Sequence, residues 1–495
     1  MTKAGRKAEP RRRKGGETAA DQLRAIRVAS DHLDVAGQGE LLIEGGSARD
    51  LVARFGSPLF VLSDATLRAN YRRIRSAFEA QWPQPVNVMY AIKCNPSFAV
   101  RAVLHHEGAG GDCFGIGELE ATFAGGADPE RIALNGSAKS DALIARAIEL
   151  GVAINMDDEE EPARIEAIAA AAGKRVRVLI RLKIVPPEYA DYESDLVNFK
   201  GDFRPELERL KWGVTPGTAG RMIEAIRGMP HIDLAGYHSH LGRLSQRKEH
   251  RAAYDGEIGR VAAQLFRETG FAPRIIDLGG GWPRERDAES KSLERNRSDI
   301  EDYARASCRA LRAPLEEAGI ALPDLWLEPG RYIAGNAGVL LTTVNSVKRD
   351  GGHTWLNVDA STNLMPLLGN GMEGTLNHVI AASRMHEPLA MTADVVGPIC
   401  IPSVMGAGCR MPELRAGDLI AILDAGMYTE SDAHNLNWMP KPATVMVRGS
   451  EAGLVRAGET YEHMFRTQRL PVWLRQQDGP ASRFRDAAIK GGPTP

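Results

Sequence analysis

From about residue 85 to residue 330 the chain alternates between short apolar, β-branched runs and longer stretches with helical spacing, a pattern that few folds satisfy. The runs are VNVMYAI (Val86 to Ile92), GGDCF around Asp112, RIALNG around Asn135, VAINM (Val152 to Met156) and VRVLIRL around Arg181. IDLAGYHSHLG around His240, PRIIDLGGG (Pro273 to Gly281) and DLWLEPG (Asp324 to Gly330) complete the series. Between them, segments such as KSDALIARAIELG and KEHRAAYDGEIGRVAAQLFRETG repeat apolar residues at three and four and close on glycine. Strands alternating with helices imply a parallel sheet. Eight units in about 250 residues is the count and size of a (β/α)8 TIM-type barrel, with a doubly wound open sheet as the competitor.

After residue 331 the texture changes. VLLTTVNSVK, HTWLNVDAS, LAMTADVVG, DLIAILDAG and ATVMVRG read as short strands separated by turns. They predict a C-terminal, mainly antiparallel β-domain that shares strands with LLIEGGSARDLVARFGSPLFVLS (Leu41 to Ser63). The expected organisation is a basic leader without fixed structure over 1–35, then a segment joining the β-domain over 36–63. The barrel follows over 64–325, the β-domain over 326–475 and a flexible tail over 476–495.

A length of 495 residues suits two large units. A net charge of -2 gives no electrostatic case for nucleic acid or an anionic membrane as partner. No apolar run reaches the length of a membrane span, and no secretory signal opens the chain. The first fourteen residues carry seven basic side chains against one acidic, which reads as a solvated arm. Five scattered cysteines without a CxxC pair predict a reducing, cytoplasmic setting.

In a barrel the chemistry lies at the carboxyl ends of the strands. Lys93 ends the first run and Asp112 lies in the second. His240 ends the sixth, Gly279, Gly280 and Gly281 end the seventh, and Glu328 with Arg331 ends the eighth. A lysine closing an apolar strand is costly to bury unless it is paired or kept as a reactive amine. Three consecutive glycines let backbone N–H groups approach a phosphate, and a guanidinium suits the same group. An amine, a phosphate cradle and a carboxylate are what pyridoxal phosphate needs. A metal held by His238 and His240 is the runner-up, set aside because no third and fourth ligand appear at metal spacing.

The order YAIKCN, HSHLGR, DLGGGW, EPGR, VGPIC, DAGMY resembles the diaminopimelate, ornithine and arginine decarboxylases, which are fold-type III pyridoxal phosphate enzymes. The likeness spans roughly residues 40 to 470, lies nearest the diaminopimelate enzymes, and implies the two-domain architecture shared with alanine racemase. It implies that Lys93 bonds the cofactor, that His240 stacks on its ring, and that Glu328 pairs with the pyridine nitrogen. Gly279 to Gly281, Arg331 and Tyr428 would hold the phosphate, Asp112 would sit by the lysine, and Arg181 would support the site. Cys400 would reach the partner subunit's site in a homodimer and return a proton after carbon dioxide leaves.

Departures from the family's pattern concern the substrate. Ile401 and Val404 stand where acidic residues are usual, Met365 precedes Pro366 in place of an arginine, and Arg243 replaces a serine, with Ser245 nearby. Arg243, Met365 and Ile401 are therefore specificity candidates. Missing charges point to a diaminopimelate-like amino acid or a modified one, including a carrier-protein-bound aminoacyl group. A racemase of related fold and a non-catalytic binding homologue are the alternatives.

Overall fold

The computed structural model describes residues 16–194, 197–242, 246–286, 293, 295–368, 376–469, 471 and 473. Arg243, Ser245, residues 1–15 and the expected tail over 476–495 lie outside the described residues.

Eight strands close into a barrel: Val86–Ala91, Gly110–Cys113, Ile132–Leu134, Ala153–Met156, Val176–Arg181, Ile232–His238, Ile275–Asp277 and Asp324–Leu327. Each pairs in parallel with the next, and the eighth pairs with the first, so the open-sheet alternative is excluded. The strands read as continuous apolar runs because both faces are covered. Inward, Met89, Ala133, Ala153, Leu179, Ala235, Ile275 and Trp326 form a separate buried layer. Its alanines leave the volume that Trp326 and Met89 fill. The helices are closed by local chemistry. In Asp141–Leu150 the Ser140 hydroxyl accepts from the Leu143 N–H, and Gly151 ends the helix in the left-handed conformation at φ 78°.

The second domain is a nine-stranded sheet. Its long strand Gly338–Asp350 pairs antiparallel with Leu59–Ser63, which also lies parallel to Ala443–Arg448. A fully buried strand from before the barrel thus sits inside the sheet formed after it. Most other pairings are antiparallel, and they enclose a second apolar core. Strands Val379–Ala381, Val404–Met411 and Glu451–Arg456 were not anticipated. They are short, glycine-containing or largely exposed, so they carry weak apolar alternation.

Two expectations need correction. The eighth barrel strand runs to Leu327 and is followed by the helix Arg331–Ala334, which packs on the helix Asp64–Glu79. A boundary after residue 325 therefore cuts a strand. The part of the leader over 16–35 is folded. Thr18 and Asp21 cap the helix Ala19–Ile26 reciprocally, Ala19, Ala20 and Leu23 are buried, and the Ala20 N–H donates to the Met385 carbonyl at 2.9 Å. The basic run ends at Lys14, and joining it to residues 16–35 as a single leader hid this short amphipathic turn. Among the described residues no helix is long and apolar enough to cross a membrane.

Candidate active site

The first strand delivers Lys93 through the 3-10 turn Ile92–Cys94, whose flanking side chains are buried while the lysine faces the barrel mouth. Parallel register sets Ala91 beside Asp112, and Lys93 Nζ reaches Asp112 Oδ2 at 2.5 Å. The ammonium also lies 4.6 Å from the centre of the Phe114 ring. Burial works against the charge, but Asp112, Tyr428 and Glu328 outweigh it and raise the lysine's pKa. Burial, then the charge of Glu328, push the Asp112 carboxyl up to about 6. At neutral pH the pair is ammonium and carboxylate. These neighbours hold the lysine charged, not as the free amine that burial alone would favour.

Beneath this pair lies a buried polar floor. Asn135 Nδ2 donates to Asp112 Oδ1 at 2.7 Å and to Glu328 Oε1 at 2.6 Å, while Asn155 Nδ2 donates to Asn135 Oδ1 at 2.8 Å. His238 Nε2 stands 3.4 Å from Glu328 Oε2. His238, Asp277 and Glu328 bring one ligand atom each within 4.8 Å of the others. Burial opposes ionisation of Glu328, but His238 and Lys93 overcome it and hold its carboxyl well below the usual range. Burial and the Glu328 charge push Asp277 well above that range. Of these two acids, Glu328 carries the charge.

The seventh strand ends in the glycine triplet. A Cβ on Gly280 would fall 2.4 Å from the Glu328 carbonyl oxygen, and one on Gly281 would fall 2.3 Å from that of Gly242. The Gly280 N–H donates to His240 Nδ1 at 2.8 Å, so the neutral ring carries its proton on Nε2. Burial, aided by the Lys93 charge, keeps that imidazole well below its ordinary pKa. Tyr428, held at φ 49°, donates its backbone N–H to the Cys94 carbonyl at 2.7 Å and ties the β-domain to the Lys93 turn. The Arg331 guanidinium lies 5.4 Å from the Tyr428 ring centre.

Lys93, His240, Gly280, Gly281, Glu328, Arg331 and Tyr428 line one cavity of about 390 Å³, with Leu367 and Asp432 at its side. An amine, an ionised carboxylate, and a side-chain-free glycine wall (Gly280, Gly281) beside the Arg331 guanidinium form the set of groups that pyridoxal phosphate requires. The residues present fit that cofactor.

Other expected residues are placed less centrally. Arg181 is buried at the end of the fifth strand, its Nε 3.8 Å from Asp157 Oδ1 and its guanidinium 5.7 Å from the Trp212 ring centre. The two histidines part company, His240 engaged by the glycine loop and His238 facing Glu328. Cys400 is exposed on the β-domain, its N–H bonded to Asn437 Oδ1 at 3.1 Å, and Ile401 and Val404 beside it are 48% and 40% exposed. Met365 corrects an expectation. Its side chain is buried in the β-domain core, and Leu367 faces the cavity in its place, because the turn before Pro366 carries the methionine inward. Sequence reasoning missed Asn135, Asn155 and Asp277. Each sits at the carboxyl end of a barrel strand, a signal that applied to Lys93 and served equally for them.

The model of the pyridoxal binding domain of pyridoxal-dependent decarboxylases matches residues 64–335. Diaminopimelate decarboxylase of Methanothermobacter thermautotrophicus is 31% identical over 443 residues, covering 89% of this chain and 98% of that protein. The Pseudomonas fluorescens diaminopimelate decarboxylase is 32% identical over 439 residues, covering 87% and 97%. Among solved structures, diaminopimelate decarboxylase of M. jannaschii in complex with L-lysine superposes with a TM-score of 0.79 at 25% identity, covering 90% of this chain and 99% of that one. With the barrel, the cavity and these likenesses in agreement, the chain belongs to the fold-type III pyridoxal-dependent decarboxylases and is an amino-acid decarboxylase that uses pyridoxal phosphate.

Proposed function

We propose that this enzyme removes the α-carboxylate of a diaminopimelate-like amino acid whose far end is modified and carries no free ammonium, and that it works as a homodimer. The observation that carries the chemistry is the single cavity shared by Lys93, Glu328, Gly280, Gly281 and Arg331. Pyridoxal phosphate, when bound, supplies the electron sink for the departing carboxylate. The chain's own residues do the rest. Lys93 offers the amine that holds the cofactor and later releases the product. Glu328, kept ionised, pairs with the ring nitrogen. Gly279, Gly280 and Gly281 with Arg331 and Tyr428 would cradle the phosphate, neutral His240 would pack on the ring face, and Arg181 would support the floor from the fifth strand.

Cys400 is exposed and lies outside the cavity's lining, so in this reading it serves the site of a second copy and delivers the proton to Cα there. Exposed Ile401 and Val404 accompany it, and both would face the substrate's far end without a charge to pair an ammonium. A buried ammonium without a partner forfeits a charge-assisted bond of roughly 1.5–3 kcal/mol. An acylated or carrier-protein-bound amino acid avoids that loss. Five free thiols favour a reducing cytoplasm.

The test is a screen of amine products and carbon dioxide over free and N-modified diamino acids of both configurations. Preference for a modified substrate is expected. A higher kcat/KM for free diaminopimelate would overturn the substrate reading, and enantiomer conversion without carbon dioxide would indicate a racemase.

A further inference from the structure

Asn135 is a neutral group shared by the two carboxylates on which the site depends. Its amide is 1% exposed, and its two N–H bonds are divided between Asp112 and Glu328 at 2.7 and 2.6 Å. The amide orientation is fixed chemically. Turned over, its oxygen would face two carboxylates, and the donor from Asn155 at 2.8 Å would meet an NH2 group. In the orientation seen, both carboxylate oxygens toward Asn135 must be acceptors. Nearby carboxylates without such a donor relieve their repulsion by sharing a proton.

We infer that Asn135 is a positioning residue for decarboxylation: by donating to both Asp112 and Glu328 it keeps the counter-ion of Lys93 and the partner of the ring nitrogen separately ionised, with Asn155 orienting it. The groups that bear on Glu328 from neighbouring elements are Lys93, Asp112, His238, His240 and Asp277. Of these, Asp112 is joined to Glu328 through the Asn135 amide. Asp112, raised to about 6, takes up a proton as pH falls, and the Asn135 N–H hydrogens leave no proton position between it and Glu328.

The inference rests on the cofactor assignment and not on the substrate, so its test uses none. Apoenzymes of Asn135→Ala and Asn155→Ala are loaded with pyridoxal phosphate, and affinity and the pH titration of the visible cofactor band are measured. Loss of a donor to an ionised carboxylate raises its pKa. For Asn135→Ala the band's midpoint should move by a full pH unit or more, and affinity at pH 8 should fall about tenfold, equivalent to ~1.4 kcal/mol. Asn155→Ala should move both in the same direction by less. A packing defect alone would lower thermal stability while leaving the band's midpoint in place. Folded Asn135→Ala with wild-type midpoint and affinity overturns the inference. Should that variant not fold, an unshifted midpoint in Asn155→Ala overturns it equally.

Discussion

Lys93 Nζ and Asp112 Oδ2 form an ion pair 2.5 Å apart at the carboxyl ends of adjacent barrel strands. Burial alone would lower the lysine's pKa, and the neighbouring negative charges reverse that direction. In Asp112→Asn apoenzyme burial should prevail. Peptide-resolved trinitrophenylation of Lys93 by trinitrobenzenesulfonate should show its midpoint falling by at least a pH unit, with a rate at pH 8 up about tenfold. An unchanged midpoint would mean that Asp112 does not set the charge of this amine.

The glycine triplet predicts a contrast between two alanine substitutions at positive φ. Gly281, at φ 88°, has a carbonyl oxygen 2.3 Å from where a Cβ would stand, whereas Gly270, at φ 73°, has nothing within 4 Å. Gly270→Ala should cost about 1 kcal/mol of conformational strain and leave cofactor binding intact. Gly281→Ala must also displace the Gly242 backbone, and should lose cofactor affinity by tenfold or more. Equal behaviour of the two variants in an absorbance titration would show that the loop tolerates a side chain.

Much of this was legible before the structure, and the division follows range. Each barrel strand announces itself locally as an apolar run closed by a turn, and the position of Lys93, Glu328 and the glycines at strand ends placed them on one rim. What stayed hidden depends on partners far apart in the chain. Asn135 within RIALNG reads as a turn residue until Asp112 and Glu328 are brought to either side. Arg286 within GGGWPRER reads as a surface cation, yet its partners Asp31 and Asp424 lie 255 and 138 positions away. Met365 was misread because its neighbour Pro366 marked a motif, whereas the backbone there turns its side chain into the core.

That buried cluster predicts an acid response. Arg286 joins the segment before the barrel, the loop after the glycines and the turn before Tyr428, and Arg284 adds a contact to Asp424 at 3.1 Å. Burial opposes the Asp424 charge, but Arg286 and Arg284 outweigh it and hold its carboxyl down at about 2. A depressed carboxyl stabilises the fold above its unfolded pKa of about 4, and the contribution is lost as pH falls toward the folded value. Asp424→Asn should flatten the decline in stability between pH 4 and 2, and at pH 7 should cost about 3–5 kcal/mol by urea unfolding. An unchanged acid limb would contradict the assignment.

The proposed sharing of sites between two copies predicts complementation. Lys93→Ala and Cys400→Ala should each be close to inactive, yet random mixing of the two chains should restore roughly a quarter of wild-type activity, because half the dimers carry one intact site of two. No recovery after verified subunit exchange would place Cys400 outside the partner's site.

The substrate reading predicts a gain. Ile401→Glu should raise kcat/KM for free diamino acids tenfold or more relative to modified ones, the return of a charge-assisted bond of ~1.5–3 kcal/mol. Loss of both activities in parallel would remove Ile401 from specificity.

The central claim is that one amine at the barrel mouth holds the cofactor. Borohydride reduction of the loaded enzyme followed by peptide mass spectrometry tests it most directly. The account predicts a single pyridoxyl-phosphate adduct on Lys93, absent in Lys93→Ala. An adduct on another lysine, or its persistence in Lys93→Ala, would contradict it.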